Sequence, residues 1–365
     1  MNRFIFSAAA LATAALMTAC GGGGGDSAPP VAGPGTPSPT PTASTPTAST
    51  STIVVNVPAP SYAAGSEELA AYNYLNAERS RCGFGKLAEE PTLNISAKNH
   101  ADWLLINNYY GHYEDPAVPT GYTGITPIDR ARFAGYAGSG ASETITGTTG
   151  NKSIIGYGVD SAKTLNAAPY HLFGMMSPYV DLGISVRSVN NVTSTLANGL
   201  GRVATFNFGV KAETYQSPAK NTVLSYPCDG TTNVNYEVRN EFPNPVPGRN
   251  LLTNPIGHAI LVMLARSETL SITGSTMVKL SDGSSVPMRA GITAANDPNN
   301  LFESYGSYMG YVVPDVALLP ATTYKVTVNG TSTGLVENCA TGAKPGCVVN
   351  LTGQFTIVNT FSTRS

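Results

Sequence analysis

Residues 91–116 read "PTLNISAKNHADWLLINNYYGHYEDP". Leu93, Ala97, Ala101 and Leu104 recur at helical spacing behind a proline start, with Asn108 next in step, so the spacing predicts an amphipathic helix. The helix runs out into a polar stretch where His112 is followed by Glu114, Asp115 and Pro116. The whole chain holds four histidines. One of them placed among carboxylates just past a helix is a candidate ligand or acid–base group, because imidazole titrates near neutral pH. The competing reading is a loop histidine that caps a helix end through the dipole. His100 sits on or beside the apolar stripe and reads as a half-buried structural residue. Glu114 and Asp115 read as organisers of the loop.

On either side, helices and strands interleave. "SEELAAYNYLNAERSRCG" has Ser66 as N-cap, two glutamates in its first turn and Gly83 as its stop. "TPIDRARFAGYAG" carries Thr126 as N-cap, Pro127 at the first position, Asp129 three residues on and Gly135 at the end; Arg130 within it reads as a structural ion-pair partner. "DLGISVRSV" and "GRVATFNFGV" alternate as strands do. Residues 61–215 therefore form one domain of mixed helix and strand. From residue 226 to 365 the texture becomes short β-rich runs separated by Gly, Asn, Asp and Pro, which argues for an all-β sandwich. Asp282-Gly283 and Asn329-Gly330 read as turn sites. The fold class of the whole is α+β.

The N-terminal residues carry an address. Arg3, an apolar run from Phe4 to Met17 and small residues before Cys20 make residues 1–19 a secretory signal, too short for a membrane span. Met17-Thr18-Ala19-Cys20 resembles a bacterial lipobox, which would leave Cys20 acylated at the mature N-terminus and anchored in the membrane; Gly21 after it leans towards the outer membrane. Residues 20–60, rich in Gly and then Pro, Thr and Ser, read as a disordered tether that cannot bury enough apolar area to order itself. Charged residues are 12% of the chain and the net charge is −2, so there is no electrostatic footprint for nucleic acid. The remaining cysteines, Cys82, Cys228, Cys339 and Cys347, read as two disulfides in an oxidising envelope. Cys339 and Cys347 flank a turn-rich loop and pair locally, which leaves Cys82 with Cys228.

No GxSxG elbow, P-loop, HExxH or dinucleotide fingerprint is present. What remains is His112, Glu143 in "GASETI" and His171 in "APYHLFG". Two imidazoles and a carboxylate are able to hold a divalent metal such as zinc or to poise a proton transfer. Glu143, between small polar neighbours, reads equally as a hydrogen-bond acceptor in a strand.

The order of these pieces carries a resemblance. "LNAERSRCGFGKLAEEPTLNISAKNHADWLL", "GHYEDP", "PIDRARFAGYAGSGASETI", "LNAAPYHLFGMMSPYVDLGISV" and "TFNFG" follow one another as in the CAP superfamily of cysteine-rich secretory, venom-allergen and pathogenesis-related proteins, bacterial SCP-like members included. The resemblance covers most of residues 66–210 and implies an α–β–α sandwich with a cleft lined by His112, Glu143 and His171. There are departures. Animal and plant members carry a second glutamate before the second histidine, and the nearest acid here is Asp160. The triplet around the cavity glutamate is Ser142-Glu143-Thr144, and Leu165 stands where an aromatic is common. The last fifty or so residues, through "LLPATTYKVTVNG" and "FTIVNTFST", resemble a bacterial Ig-like module. The expectation is an envelope-anchored binding or scaffold protein, with a divalent metal at His112 and His171 and a protein, glycan or lipid ligand. The alternatives are a hydrolase using a metal-activated water or Glu143 as base, and a lipid-binding protein.

Overall fold

The computed structural model describes residues 50–193, 199–302, 306–333, 349–350 and 353–365. The leader, Cys20, most of the expected tether and the Cys339–Cys347 pair lie outside the described residues. Among the described residues no helix is long and apolar enough to cross a membrane.

The first half is built on a four-stranded sheet of order β1-β3-β4-β2, comprising β1 (Ala88–Glu89), β2 (Gly140–Thr149), β3 (Asp181–Ser188) and β4 (Leu200–Val210). β1 runs parallel to β3; the other pairs are antiparallel. Cross-strand pairs Leu182–Phe208, Ile184–Phe206 and Val186–Ala204 put six apolar side chains on one face. That face is covered by α1 (Glu67–Arg81), α4 (Tyr157–Ala167) and α5 (Pro169–Met175), through residues such as Leu75, Leu165 and Phe173. α2 (Pro91–Asn107) and α3 (Pro127–Phe133) cover the opposite face. α2 comes very close there: a Cβ on Gly183 would stand 2.1 Å from the Leu93 carbonyl carbon, and Thr205 donates to the Ala97 carbonyl at 2.9 Å. Helices thus lie on both faces of one sheet, and β2 forms its edge.

The local signals act as expected. Ser66 accepts from Leu69 N at 3.1 Å, Thr126 and Asp129 form a reciprocal capping box, and α2 ends at Asn108 in the left-handed region. Two readings need correction. Residues 51–60 are not free tether. Thr52 N donates to Ser217 O at 2.9 Å, Val54 N to Gln216 Oε1 at 2.9 Å, and Val54 O accepts from Lys86 N at 2.8 Å. Ile53, Val54 and Val57 give this stretch enough apolar surface to lie against the body. Asn329-Gly330 is no turn, because both residues lie inside a long strand at a register shift. Phe355 occupies the space where a Gly330 Cβ would go, 2.3 Å from its ring, so this glycine serves packing rather than reversal. Asp282-Gly283 does turn, with Gly283 at φ +71°.

The second half holds two further sheets. One, of order β10-β11-β7-β5, contains β5 (Leu224–Tyr226), β7 (Ile260–Met263), β10 (Ile292–Thr293) and β11 (Met309–Val312). The other runs β13-β14-β12-β8-β9, from β8 (Leu270–Lys279), β9 (Ser285–Val286), β12 (Thr323–Ser332), β13 (Val349–Asn350) and β14 (Gln354–Thr363), with β6 (Thr231–Val234) pairing β14. Residues of both sheets share one hydrophobic core with α1, α4 and α5. Phe173 meets Phe302 edge-on with ring centroids 4.0 Å apart, and Ala259 N donates to Ala167 O at 3.0 Å. The described residues accordingly form one compact unit.

Cys82, capping α1, is bonded to Cys228 just past β5, as the cysteine spacing anticipates. A bridge closing 146 residues removes much chain entropy from the unfolded state, about 4–5 kcal/mol in the entropic account. Cys82→Ser/Cys228→Ser is therefore expected to lower the melting temperature by roughly 10 °C, measured by circular dichroism on the oxidised protein; an unchanged melting curve would contradict the account.

Candidate functional site

The cleft forms where the edge strand of the first sheet meets two other pieces of chain. β2 contributes Ile145, Thr146, Gly147 and Thr148; the loop after α2 contributes Tyr109 to Tyr113; and α5 with residues 235–242 of the second half forms the facing wall. The cavity has a volume of about 910 Å³. His112 and His171 both line it, with ring centroids 6.3 Å apart and planes 38° apart. Folding therefore brings the two imidazoles together. Glu143 stands directly behind His112, fully buried.

His112 is fixed through both its backbone and its ring. Its carbonyl accepts from Arg130 at 3.0 Å, and its Nδ1 lies 3.1 Å from Glu143 Oε1. Arg130, buried on α3 as the structural ion-pair partner the sequence suggests, donates to Glu143 Oε2 at 3.0 Å and to the Ile125 carbonyl at 3.1 Å. Asn207, opposite Glu143 across the β2–β4 ladder, lies against the same Oε2 and Ser96 Oγ, and with its amide turned to satisfy both it donates to Oε2 at 3.0 Å and accepts from Ser96 Oγ. Glu114 organises the loop: it accepts from Thr123 N at 2.7 Å and Gly124 N at 3.3 Å, and its Oε1 lies 3.0 Å from His100 Nδ1. Asp115 accepts from Ala117 N in an Asx turn. His100 is completely buried rather than half-buried, and its Nε2 reaches to 3.5 Å from Glu143 Oε1. Its helical spacing gives the burial, but nothing local shows that it joins this cluster.

Burial pushes the Glu143 carboxyl up, but His100, Arg130 and the hydrogen bond from His112 more than offset it and hold the group at about 2. Glu143 is thus a permanent carboxylate with both oxygens engaged. It is suited to orienting His112 and unsuited to taking a proton.

His171, near the start of α5, has Nδ1 3.2 Å from Oε1 of Glu241, a residue that nothing local in the sequence singles out. Asp160, the acid nearest in sequence, is exposed and lies 3.6 Å from Arg364 instead. The only hint of Glu241 in the sequence is indirect: an acid is wanted near His171, and none is found close by in the chain.

Zinc takes three or four protein ligands. Both Glu143 oxygens are committed, and Glu241 Oε1 is shared among Tyr170 N, His171 N and His171 Nδ1. Uncommitted among the described residues are Nε2 of the two imidazoles and Oε2 of Glu241, and that oxygen is completely buried. Among the described residues no group of three or more His, Cys, Asp or Glu is arranged to hold a metal ion. Nothing in this arrangement supports the expected metal centre at His112 and His171.

No family model matches the chain, and no curated protein matches it. Among solved structures it is similar to an outer surface protein from Borrelia burgdorferi, at 15% identity and a TM-score of 0.31, over 41% of this chain and 96% of that one. It is also similar to an extracellular protein containing a SCP domain from Bacillus anthracis str. Ames, at 20% identity and a TM-score of 0.29, over 40% of each chain. Likenesses of this size assign neither fold nor function.

Glu143 ties stability to pH. Its folded value lies below the ordinary one, so its contribution is present above about pH 4.5 and is lost as pH falls towards about 2. Glu143→Gln strands the Arg130 charge in the interior and is expected to cost about 3–5 kcal/mol at neutral pH. Urea unfolding should show the difference from wild type shrinking through that acid window; a constant difference would show that the carboxylate charge is not what stabilises.

Proposed function

We propose that the chain is an extracytoplasmic binding protein, held at the outer membrane by an acylated Cys20, whose cleft takes a neutral, polyhydroxylated ligand of the oligosaccharide class. The CAP-like sandwich supplies one wall and the Ig-like β-rich half the other. The observation that carries this reading is the make-up of the cavity. Two imidazoles, each backed by a buried carboxylate, share it with exposed aromatic rings and with charges that cancel.

Arg202, Arg239 and Arg364 line the cleft together with Asp160, Glu237 and Glu241. Arg239 pairs with Glu237 at 2.5 Å, Arg364 with Asp160 at 3.6 Å, and Arg202 stacks 3.9 Å over the Tyr157 ring. Such a lining has no surplus charge to attract an ion. Covering these polar groups with an acyl chain would strip their water for no return, which counts against a lipid. Tyr113 and Phe242, 62% and 82% exposed, follow His112 and Glu241 directly in the chain and offer apolar faces at the cleft. Flat rings beside hydrogen-bonding groups suit a sugar, which presents C–H faces and hydroxyl edges together.

Calorimetry with a panel of neutral oligosaccharides tests this. At least one should bind; Tyr113→Ala and Phe242→Ala should each weaken it about five-fold, as loss of about 1 kcal/mol of ring contact would. Absence of binding across the panel, or affinity indifferent to both substitutions, would overturn the proposal.

A second reading, hydrolysis, is favoured by one observation: each imidazole has a carboxylate behind Nδ1, the arrangement that orients a general base. In that case the proton-transfer groups are His112 and His171, and Glu143 only orients. Assayed on ester and cell-wall substrates, His112→Ala should lower any turnover at least about a hundred-fold if this holds. Equal rates in wild type and in His112→Ala/His171→Ala would remove it.

A further inference from the structure

Glu241 reaches His171 from a different part of the chain, and the way it is held points to a role. Residues 235–242 form a loop of the second half, pinned where Val238 N donates to Ile256 O at 2.8 Å. The Glu241 side chain is completely buried. Its Oε1 accepts from Tyr170 N at 2.7 Å and His171 N at 3.1 Å, and lies 3.2 Å from His171 Nδ1. Among the described residues its Oε2 is buried with no hydrogen-bond partner. Satisfying two helix amides does not need a charge; a serine, threonine or asparagine would serve. A buried carboxylate with one oxygen unmatched is a costly way to cap a helix. The cost is offset if the carboxylate also acts on the imidazole.

We propose that Glu241 is the positioning residue for His171, holding it in the Nδ1–H form so that Nε2 stands as an acceptor towards the cleft, and that the second half of the chain thereby completes the site. The assignment deepens the cleft reading and rests on it. The two walls then match: Glu143 sets His112 from the first half, and Glu241 sets His171 from the second. The neighbouring contacts hold this arrangement in place. Tyr170 donates its hydroxyl to Asp297 at 2.5 Å and accepts from Asn299 at 2.8 Å, both in the second half, so the start of α5 is clamped on two sides. A ligand hydroxyl entering the cavity would meet two ring nitrogens without protein partners among the described residues.

The test reads the tautomers directly, in the mature full-length chain without any ligand. Long-range ¹H–¹⁵N spectra of histidine-labelled protein, taken at about pH 8, above the ordinary imidazole range, distinguish Nδ1–H from Nε2–H. Wild type should show both His112 and His171 as Nδ1–H. In Glu241→Ala, His171 should move towards the Nε2–H form while His112 stays unchanged and so reports an intact fold. Glu241→Gln, which keeps a neutral acceptor at Oε1, should restore most of the Nδ1–H population. If Glu241→Ala does not fold, Glu241→Asp, which withdraws the oxygens by one methylene, should shift His171 alone in the same direction. An unmoved His171 in a folded variant overturns the assignment, as does an equal shift of both rings. Because no ligand is present, failure of oligosaccharide binding leaves this result standing, and an unmoved His171 leaves the binding result standing.

Discussion

The structure turns on a guanidinium that has no access to water. Arg130 is fully buried, and a buried charge must be balanced and hydrogen-bonded where it sits. The balance comes from Glu143 on the edge strand, with Glu114 Oε1 3.8 Å from Nε. Those contacts join α3, β2 and the loop after α2 at a single point. His112 is placed almost as a consequence, since its carbonyl serves the same guanidinium and its ring the same carboxylate. The first wall of the cleft is therefore as rigid as the ion pair beneath it, and no residue of the pair can be changed without moving the imidazole.

The second wall is held differently. α5 is a short helix of seven residues, too short to order itself, and both of its ends are tied by side chains from elsewhere. Arg79 on α1, also fully buried, donates to the carbonyls of Met175 and Ser177 at the C-terminal end, and burial pulls its guanidinium down to about 9. Glu241 takes the amides at the N-terminal end. His171 thus depends on two partners that lie far away in opposite directions along the chain. The Cys82–Cys228 bridge runs between the same two regions, from the end of α1 to the start of the second half.

What was legible in the sequence follows the range of each interaction. Caps, stops and apolar stripes act within a few residues, so the helices at Glu67, Pro91 and Pro127 were readable, and so were strands such as Asp181–Ser188. The ordered motifs singled out His112, Glu143 and His171; the two imidazoles line the cleft, whereas Glu143 lies buried behind His112 instead of lining it. Three things were out of reach for one physical reason, that their partners are distant. His100 looks like any buried helical residue until Glu143 arrives from β2. Gly330 looks like a turn until Phe355 on the neighbouring strand takes the space of its side chain. Glu241 sits in a polar, proline-containing loop with no periodicity at all, and its meaning comes wholly from α5. The expected metal lacks support on the same account: counting imidazoles and acids gives enough ligands, but the sequence does not show that Glu143 is already spent on Arg130.

The two carboxylates behind the two imidazoles are not equivalent, and the difference limits what the cleft can do. Glu143 has both oxygens engaged and is held at about 2 by its positive neighbours, so it stays ionised well below the ordinary carboxylate range. It can neither take a proton nor turn towards a ligand. Glu241 keeps one oxygen unmatched, while the other takes two helix amides and faces His171 Nδ1. His171 is also set in a group of buried side chains, since Glu241 binds the α5 amides and Tyr170 beside it is held by Asp297 and Asn299. The two imidazoles are thus held by carboxylates of unlike kind, one locked in an ion pair with Arg130 and the other bound to helix amides and short of one hydrogen bond.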